Sequence, residues 1–348
     1  MRIVDAEFVR EFIRLTDDGY RKGWHERNGG NLTYRVRPEE VDIVRSRFIP
    51  REWQPIGVTV KNLAGEFFIA TGSGKFLRNV SVAPEDNIAF TEIDEKGENY
   101  RIVWGMDNGG TPTSEFPSHL MNHSVKKEVT NGEHHVIYHA HPPNIIALTY
   151  VLPLEDKVFT RELWEMATEC PVVFPQGVGV LGWMVPGRGE IAKATSELMK
   201  KYNVAIWAHH GMFCSGRDFD ATFGLMDTVE KSAEILVKVL SMTDHKRQTI
   251  TTQNLKDLAK AFGVRPVSYT HLNPVSACRQ TASVGLPFVA EGVILRGDNQ
   301  RVRLPGEVPG SQGRKVRIPA VAVGTDIQVH IVLDALGGQQ VSGSVFPN

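Results

Sequence analysis

Two histidines one residue apart close an apolar run in the segment HHVIYHAHPP, residues 134–143. Val136, Ile137 and Tyr138 lead to His139 and His141, and Pro142 and Pro143 stop the element. Side chains at i and i+2 of a strand share one face, so both imidazoles point the same way. The prolines leave them at the strand's end, where the chain turns and a site can open. Two neutral imidazoles side by side suit a zinc-type cation, which still lacks at least one protein ligand. Without a further ligand the same spacing describes surface or satisfied core histidines. A third imidazole stands at the end of the apolar run VAIWA, in His209-His210-Gly211. Continued alternation puts His210 on the face of Val204 and Ile206, and His209 on the other. His210 is the expected third ligand, and three histidines with an open position make the catalytic kind of zinc site.

A carboxylate, Glu115, precedes an apolar stripe at Phe116, Leu120 and Val125 in the segment beginning TPTSEFP. Ser or Thr before Glu with Pro close behind is an ordinary helix start, where the acid complements the macrodipole. That helix leads directly to the HxH strand, so Glu115 is also placed to sit near the metal. His119, His123, His134 and His135 are expected in solvent rather than at the metal. Two glycine loops could receive an anion. Asn28-Gly29-Gly30-Asn31 is either a hairpin turn or a bend whose backbone N–H groups and amides reach an anion. Thr71-Gly72-Ser73-Gly74-Lys75 lacks the Walker spacing, yet its backbone, hydroxyl and ammonium could cradle a phosphate.

The elements that carry these groups follow from periodicity. Residues 4–22 read as an amphipathic helix with Val4, Phe8, Phe12 and Leu15 on one side and Asp5 as its cap. Strands are expected at 32–36, 65–70, twice within 87–104, at 172–174, 178–181 and 204–208. Helices are expected from Asn144, over 159–168, 191–201 and 219–242, and over 255–262 with Gly263 as its C-cap. A chain of 348 residues that is 41% apolar can bury a large core and holds more than one folding unit. Its net charge of -1 gives no general attraction to nucleic acid or anionic lipid. No apolar stretch is long enough to span a bilayer, and the N-terminus lacks a signal-peptide core. Cys170, Cys214 and Cys278 are far apart and odd in number. They fit a reducing cytoplasm and neither a disulfide framework nor a thiolate zinc site.

The segments ERNGGNLT, TGSGK, PTSE, HxHP, TEC and HHG occur in this order. Together they resemble the class II zinc aldolases of the aldolase/adducin group, over roughly residues 4–266. The resemblance implies a three-layer α/β/α domain on a largely antiparallel sheet, and a cyclic homotetramer with active sites at subunit interfaces. It implies zinc held by His139, His141 and His210, with Glu115 as the PTSE glutamate. A second acid, Glu169, would come from the neighbouring subunit. A sugar phosphate would sit against Asn28, Asn31, Ser73, Thr113 and Ser114. One local departure is that His209 precedes His210, which puts the register of the third ligand in question.

Cleaving a ketose phosphate between C3 and C4 leaves negative charge on a carbonyl-derived oxygen, and a Lewis acid beside that oxygen removes the need for a lysine Schiff base. A carboxylate near the metal can then move the C3 proton. Glu115 is the expected proton carrier, and Glu169 the group at the departing aldehyde oxygen. A pentulose-phosphate 4-epimerase keeps the same parts, and a non-catalytic adducin-like binding module would not need them. Retention of three histidines and Glu115 argues against the binding module.

The chain continues past this resemblance. Residues 268–283 read as a linker, and 284–348 as a small β-rich module, with alternating runs at 288–295, 301–304, 315–318 and 326–333. No metal set or carboxylate pair stands out there, and the module is expected to serve assembly or docking.

Overall fold

The HxH run forms a strand at the centre of a nine-stranded sheet. The computed structural model describes residues 1–243, 245–264, 293–295, 301–303, 330–334 and 340–344. In chain order the sheet's strands are β1 (Asn31–Arg35), β2 (Gln54–Pro55), β3 (Phe67–Thr71), β4 (Ile88–Ile93) and β5 (Asn99–Gly105). They continue with β6 (Val136–Ala140), β7 (Gly179–Leu181), β8 (Val204–Trp207) and β9 (Gly211–Gly216). Their spatial order is β2-β5-β4-β3-β1-β6-β9-β8-β7. Every neighbouring pair is antiparallel except β7 and β8. That parallel pair is bridged by the helix Gly189–Met199, because parallel neighbours need a crossover.

Helices cover both faces, which is why the central strands β1, β3 and β6 are buried on both sides. Val136, Tyr138 and Ala140 of β6 pack with Leu32, Tyr34, Met212 and Cys214. Helices Glu7–Arg21, Pro143–Leu148, Asp156–Trp164 and Phe219–Met242 supply Phe12, Ile145, Phe159 and Val229 to that same core. Ile137 faces the other way, with Phe213, Trp207 and the helix Gly189–Met199. Phe68 and Ala70 of β3 also face that way, under the helix Phe116–Val129. The molecule is thus the expected α/β/α sandwich on a largely antiparallel sheet.

Several local readings need correction. Residues 172–174 are not a strand: Cys170–Val173 is a single helical turn with Val173 exposed, since two prolines bracket the run and it has no neighbour to pair with. Asp5 does not cap the first helix. It sits in a 3₁₀ turn and binds Arg2, while Ala6 is the N-cap. Asn28–Asn31 is no hairpin, because it joins the first helix to β1, which pairs with β3 and β6. His119 and His123 are not solvated: they are 0% and 1% exposed, under the sheet face that carries Thr33. The helix they belong to turns its polar side inward because Thr33 Oγ1 meets both rings, at 2.7 and 2.8 Å. His134 and His135 are half-buried, on Ser215 Oγ and the Arg35 carbonyl.

The chain divides into two compact units, Met1–Ser276 and Ala277–Asn348. In the second, Val293–Leu295 pairs with Arg301–Arg303 and His330–Asp334 with Gln340–Ser344, both antiparallel. The linker expected at 268–283 and the run at 315–318 lie outside the described residues. Among the described residues, no helix is long and apolar enough to cross a membrane.

Burial holds the His119 imidazole down to about 3 and that of His25 down to about 4, so both are neutral in the folded chain. Once unfolded they take up protons near their ordinary value of about 6.5. The stability they contribute is therefore full above about pH 6.5 and lost as pH falls toward about 4, by about 1.4 kcal/mol per histidine per pH unit. Urea unfolding of metal-free protein at pH 7.5 and 5.0 should show this loss. Equal midpoints at the two values would contradict it.

Candidate metal centre

Register brings the site together before any side chain is considered. Asn31 of β1 pairs with His139 of β6, and His139 pairs with Phe213 of β9. All three therefore project from one sheet face, and the His139 ring stacks on Phe213 with centroids 4.2 Å apart. His141 follows two residues later, beyond the end of β6. Its ring lies 5.1 Å from that of His139 and 4.8 Å from that of His210.

His210 arrives by a turn and not by alternation. β8 ends at Trp207, and His209 adopts a left-handed backbone with φ 62°. This breaks the period of two. His210 swings back to the face of Ala205 and Trp207, opposite the one alternation gives it, with its ring 5.2 Å from that of Trp207. His209 turns away: it is exposed, rests on Tyr150 and meets Thr149 Oγ1 at 3.2 Å. Gly211 follows because a Cβ there would stand 2.4 Å from the Ala140 carbonyl oxygen and 2.9 Å from the His141 ring. His210, and not His209, is thereby the ring turned toward His139 and His141.

One ligand atom from each of His139, His141 and His210 lies within 4.8 Å of the others, the only such cluster among the described residues. The hydrogen bonds show which atoms are free. His139 Nδ1 donates to the Met212 carbonyl at 3.1 Å, and His141 Nδ1 donates to Glu26 Oε1 at 2.7 Å. Each donation leaves a bare lone pair on Nε2, the tautomer a metal needs. The Nε2 atoms of His139 and His210 face each other at 3.2 Å, and His141 Nε2 is buried with no hydrogen-bond partner. Burial holds His210 down to about 4 and His139 well below the ordinary value, with the neighbouring imidazoles acting in the same direction. Three neutral rings aiming lone pairs at one point fit a divalent cation.

Glu115 occupies the N-cap position of Phe116–Val129, but its side chain caps nothing. It is buried, 3.9 Å from His139 Nε2, and accepts from Asn31 Nδ2 at 2.8 Å. Burial raises its pKa, and the Asn31 amide and the nearby His141 oppose the rise. The glycine loop at 71–75 meets the segment 111–114 beside it. Gly72 bridges Pro112, Ser73 N–H donates to the Thr111 carbonyl, and Thr113 N–H donates to Thr71. Ser73 and Ser114 are exposed at this junction, and Thr113 is buried with its Oγ1 receiving the Glu115 N–H at 3.3 Å. On the other glycine loop, Asn28 is exposed and Gly30 has φ +74°. A Cβ on Gly30 would stand 2.4 Å from His25 Nδ1 and 2.8 Å from the His139 carbonyl oxygen, so this glycine lets the loop close on the HxH strand. Glu169 is exposed at the start of Cys170–Val173 and joins none of these groups within the chain.

Three contributors went unrecognised in the sequence. Glu26 sets the His141 tautomer from within ERNGGN, two residues before the glycine loop. Tyr138 donates to His25 Nε2 at 2.7 Å, and His25 Nδ1 donates to Gly29, fixing that loop. Glu230 of the long helix receives the Asn144 and Ile145 N–H groups at 3.0 and 2.9 Å, seating the turn after His141. Nothing in the helix pattern sets Glu230 apart from Asp227 and Glu234, so the sequence carries no signal for it.

Comparison with known proteins accords with this geometry. Residues 10–237 match the model of the class II aldolase and adducin N-terminal domain. A rhamnulose-1-phosphate aldolase of Mannheimia succiniciproducens is 52% identical over 267 residues, covering 76% of this chain and 97% of the relative. One of Escherichia coli O157:H7 is 48% identical over 267 residues, with the same coverage. The crystal structure of a sugar-phosphate aldolase from Thermotoga maritima superposes with a TM-score of 0.59 at 28% identity, over 69% of this chain and 97% of that one. The chain belongs to the class II aldolase and adducin N-terminal domain family.

Proposed function

We propose that the chain catalyses the reversible retro-aldol cleavage of L-rhamnulose 1-phosphate to dihydroxyacetone phosphate and L-lactaldehyde, using zinc held by His139, His141 and His210. The observation that carries this reading is the buried, partnerless Nε2 of His141, aimed where two other imidazole lone pairs converge beside a buried carboxylate. The names of relatives about half identical in sequence support the substrate. When bound, the cation supplies a Lewis acid for the ketose carbonyl.

The chain's own groups do the rest. Cleavage of the C3–C4 bond leaves its electron pair on C3, and Glu115 delivers a proton to that carbon; in the synthetic direction it removes it. Burial favours this traffic by moving a carboxyl toward the working pH. Asn31 keeps the carboxylate in place. Asn28, Ser73, Thr113 and Ser114 line the two loops that receive the phosphate, through hydroxyls, amides and backbone N–H groups. Glu169, exposed in one chain, serves the departing aldehyde oxygen of a neighbouring subunit in a homotetramer. Cys170 and Cys214 are unpaired and buried, consistent with a cytoplasmic enzyme. Residues 284–348 form a separate module that takes no part in the reaction.

Rhamnulose 1-phosphate should release dihydroxyacetone phosphate faster than fuculose or ribulose phosphates do. Preference for either of the others would reassign the substrate, and no release from any would end the aldolase reading.

The His210→Ala variant should lose bound metal and turnover together, whereas His209→Ala keeps both. Metal analysis showing full zinc in His210→Ala would sink the ligand set.

Glu115→Gln keeps the size of the side chain and its hydrogen bonding but cannot carry the proton. Turnover should fall about 100-fold or more, with little change in substrate affinity. Solvent exchange of the C3 proton of dihydroxyacetone phosphate at the normal rate would remove Glu115 from the role.

A chain ended near Thr270 should remain an active, zinc-loaded tetramer by light scattering and assay. Loss of activity with tetramer and zinc intact would show that the C-terminal module reaches the site.

A further inference from the structure

A buried run of polar side chains ends on Glu115 and is not accounted for by ligand binding. Asn31 Nδ2 donates to Glu115 Oε2 at 2.8 Å, and Asn31 Oδ1 is in short contact with His119 Nε2. Thr33 Oγ1 lies 2.7 Å from His119 Nδ1 and 2.8 Å from His123 Nε2. Asn31, Thr33, His119 and His123 are all buried.

The donor inventory allows this run one direction. An ionised carboxylate only accepts, so Asn31 must turn its N–H to Glu115 and its carbonyl to His119. A carbonyl also only accepts, so the His119 proton sits on Nε2. The ring is neutral, its pKa held down to about 3 by burial, so Nδ1 is a lone pair that accepts from the Thr33 hydroxyl. The Thr33 oxygen accepts in turn from His123 Nε2–H. A primary amide has two orientations of nearly equal shape, and only its partners distinguish them. Glu115 favours one orientation, but a carboxyl that can also carry a proton and donate it cannot fix that orientation alone. The buried imidazole can.

We propose that His119 is a positioning residue for Glu115: by donating from Nε2 to Asn31 Oδ1 it locks the amide with its N–H toward the carboxylate. Thr33 sets the His119 tautomer, and His123 completes the run. This assignment rests on the aldolase reading only in taking Glu115 as the proton carrier. It also gives Asn31, which the sequence places with the phosphate, a separate task at the carboxylate.

The test combines neutron crystal structures, which distinguish the amide nitrogen from its oxygen, with kinetics of His119→Phe, which keeps ring volume without a donor, and His119→Gln, whose amide can occupy the Nε2 position. In His119→Phe the Asn31–Glu115 contact should be lost or split between two orientations. Its kcat should fall about 10- to 100-fold while KM stays nearly constant. The His119→Gln variant should recover most of that loss. The proposal is overturned if Asn31 stays on Glu115 with normal kcat, if the loss lies in KM alone, or if both variants lose equally. Should His119→Phe not fold, Thr33→Val is nearly isosteric and removes only the hydroxyl. It should lower kcat in the same pattern, and an unchanged kcat with an unmoved Asn31 overturns the proposal as well. If the wild-type chain cleaves no ketose phosphate the aldolase reading falls, while the crystallographic position of Asn31 still decides the role of His119.

Discussion

His139 is enclosed by protein, and an imidazole so placed can be neither charged nor left with an idle N–H. The Met212 carbonyl takes that N–H, which leaves the Nε2 lone pair as the only thing the ring can offer. Met212 stands at the start of β9, just past the turn that delivers His210. One hydrogen bond therefore selects the tautomer of the first imidazole and ties it to the strand that follows the third. The stack on Phe213 and the pairing with Asn31 depend on the same register. A one-residue slip of β6 would send His139 into the opposite core and Tyr138 into the site. The apolar packing of Val136, Tyr138 and Ala140 prevents that slip, so the core on one face specifies the chemistry on the other.

The strands and long helices were legible because period-two and period-3.6 patterns survive in their buried residues. Phe219–Met242 appears with the bounds its apolar stripe gives, and the HxH spacing puts both rings on one side as alternation requires. Alternation failed where the strand stopped. At His209 the backbone turns left-handed, a conformation no local pattern announces for a histidine, and the parity of His210 reverses. The likeness to a family named His210, and the turn brings that ring beside His139 and His141, where strand parity had put it on the opposite face.

Buried polar groups were the least legible part. The polar side of the helix Phe116–Val129 reads as a solvated face, since histidine, asparagine and lysine usually seek water. It is turned inward because β1 presents Asn31 and Thr33 there, which no reading of the helix alone can reveal. Lys126 shows the same inversion: it is buried, it donates to the Tyr202 carbonyl and Asn203 Oδ1, and burial lowers its pKa to about 7. A pattern reader assigns polarity to solvent by default, so a polar interior is visible only once both surfaces are in place.

The two faces of the sheet consequently carry different duties. One is packed mostly with apolar side chains from strands and helices and supplies the larger share of burial energy. The other mixes apolar clusters with a continuous polar interior running from His123 to His139, His141 and His210. Each polar group there has lost its water, and the partners observed recover only part of that cost. Asn122 and His123 Nδ1 remain without hydrogen-bond partners. The chain tolerates this because Glu115 must be held in an environment that raises its pKa without letting it drift. Burial with a single amide on the carboxylate meets both needs. The apolar face thus offsets an expense that the reactive face cannot avoid, which is why a chemistry needing few side chains is built on so large a sheet.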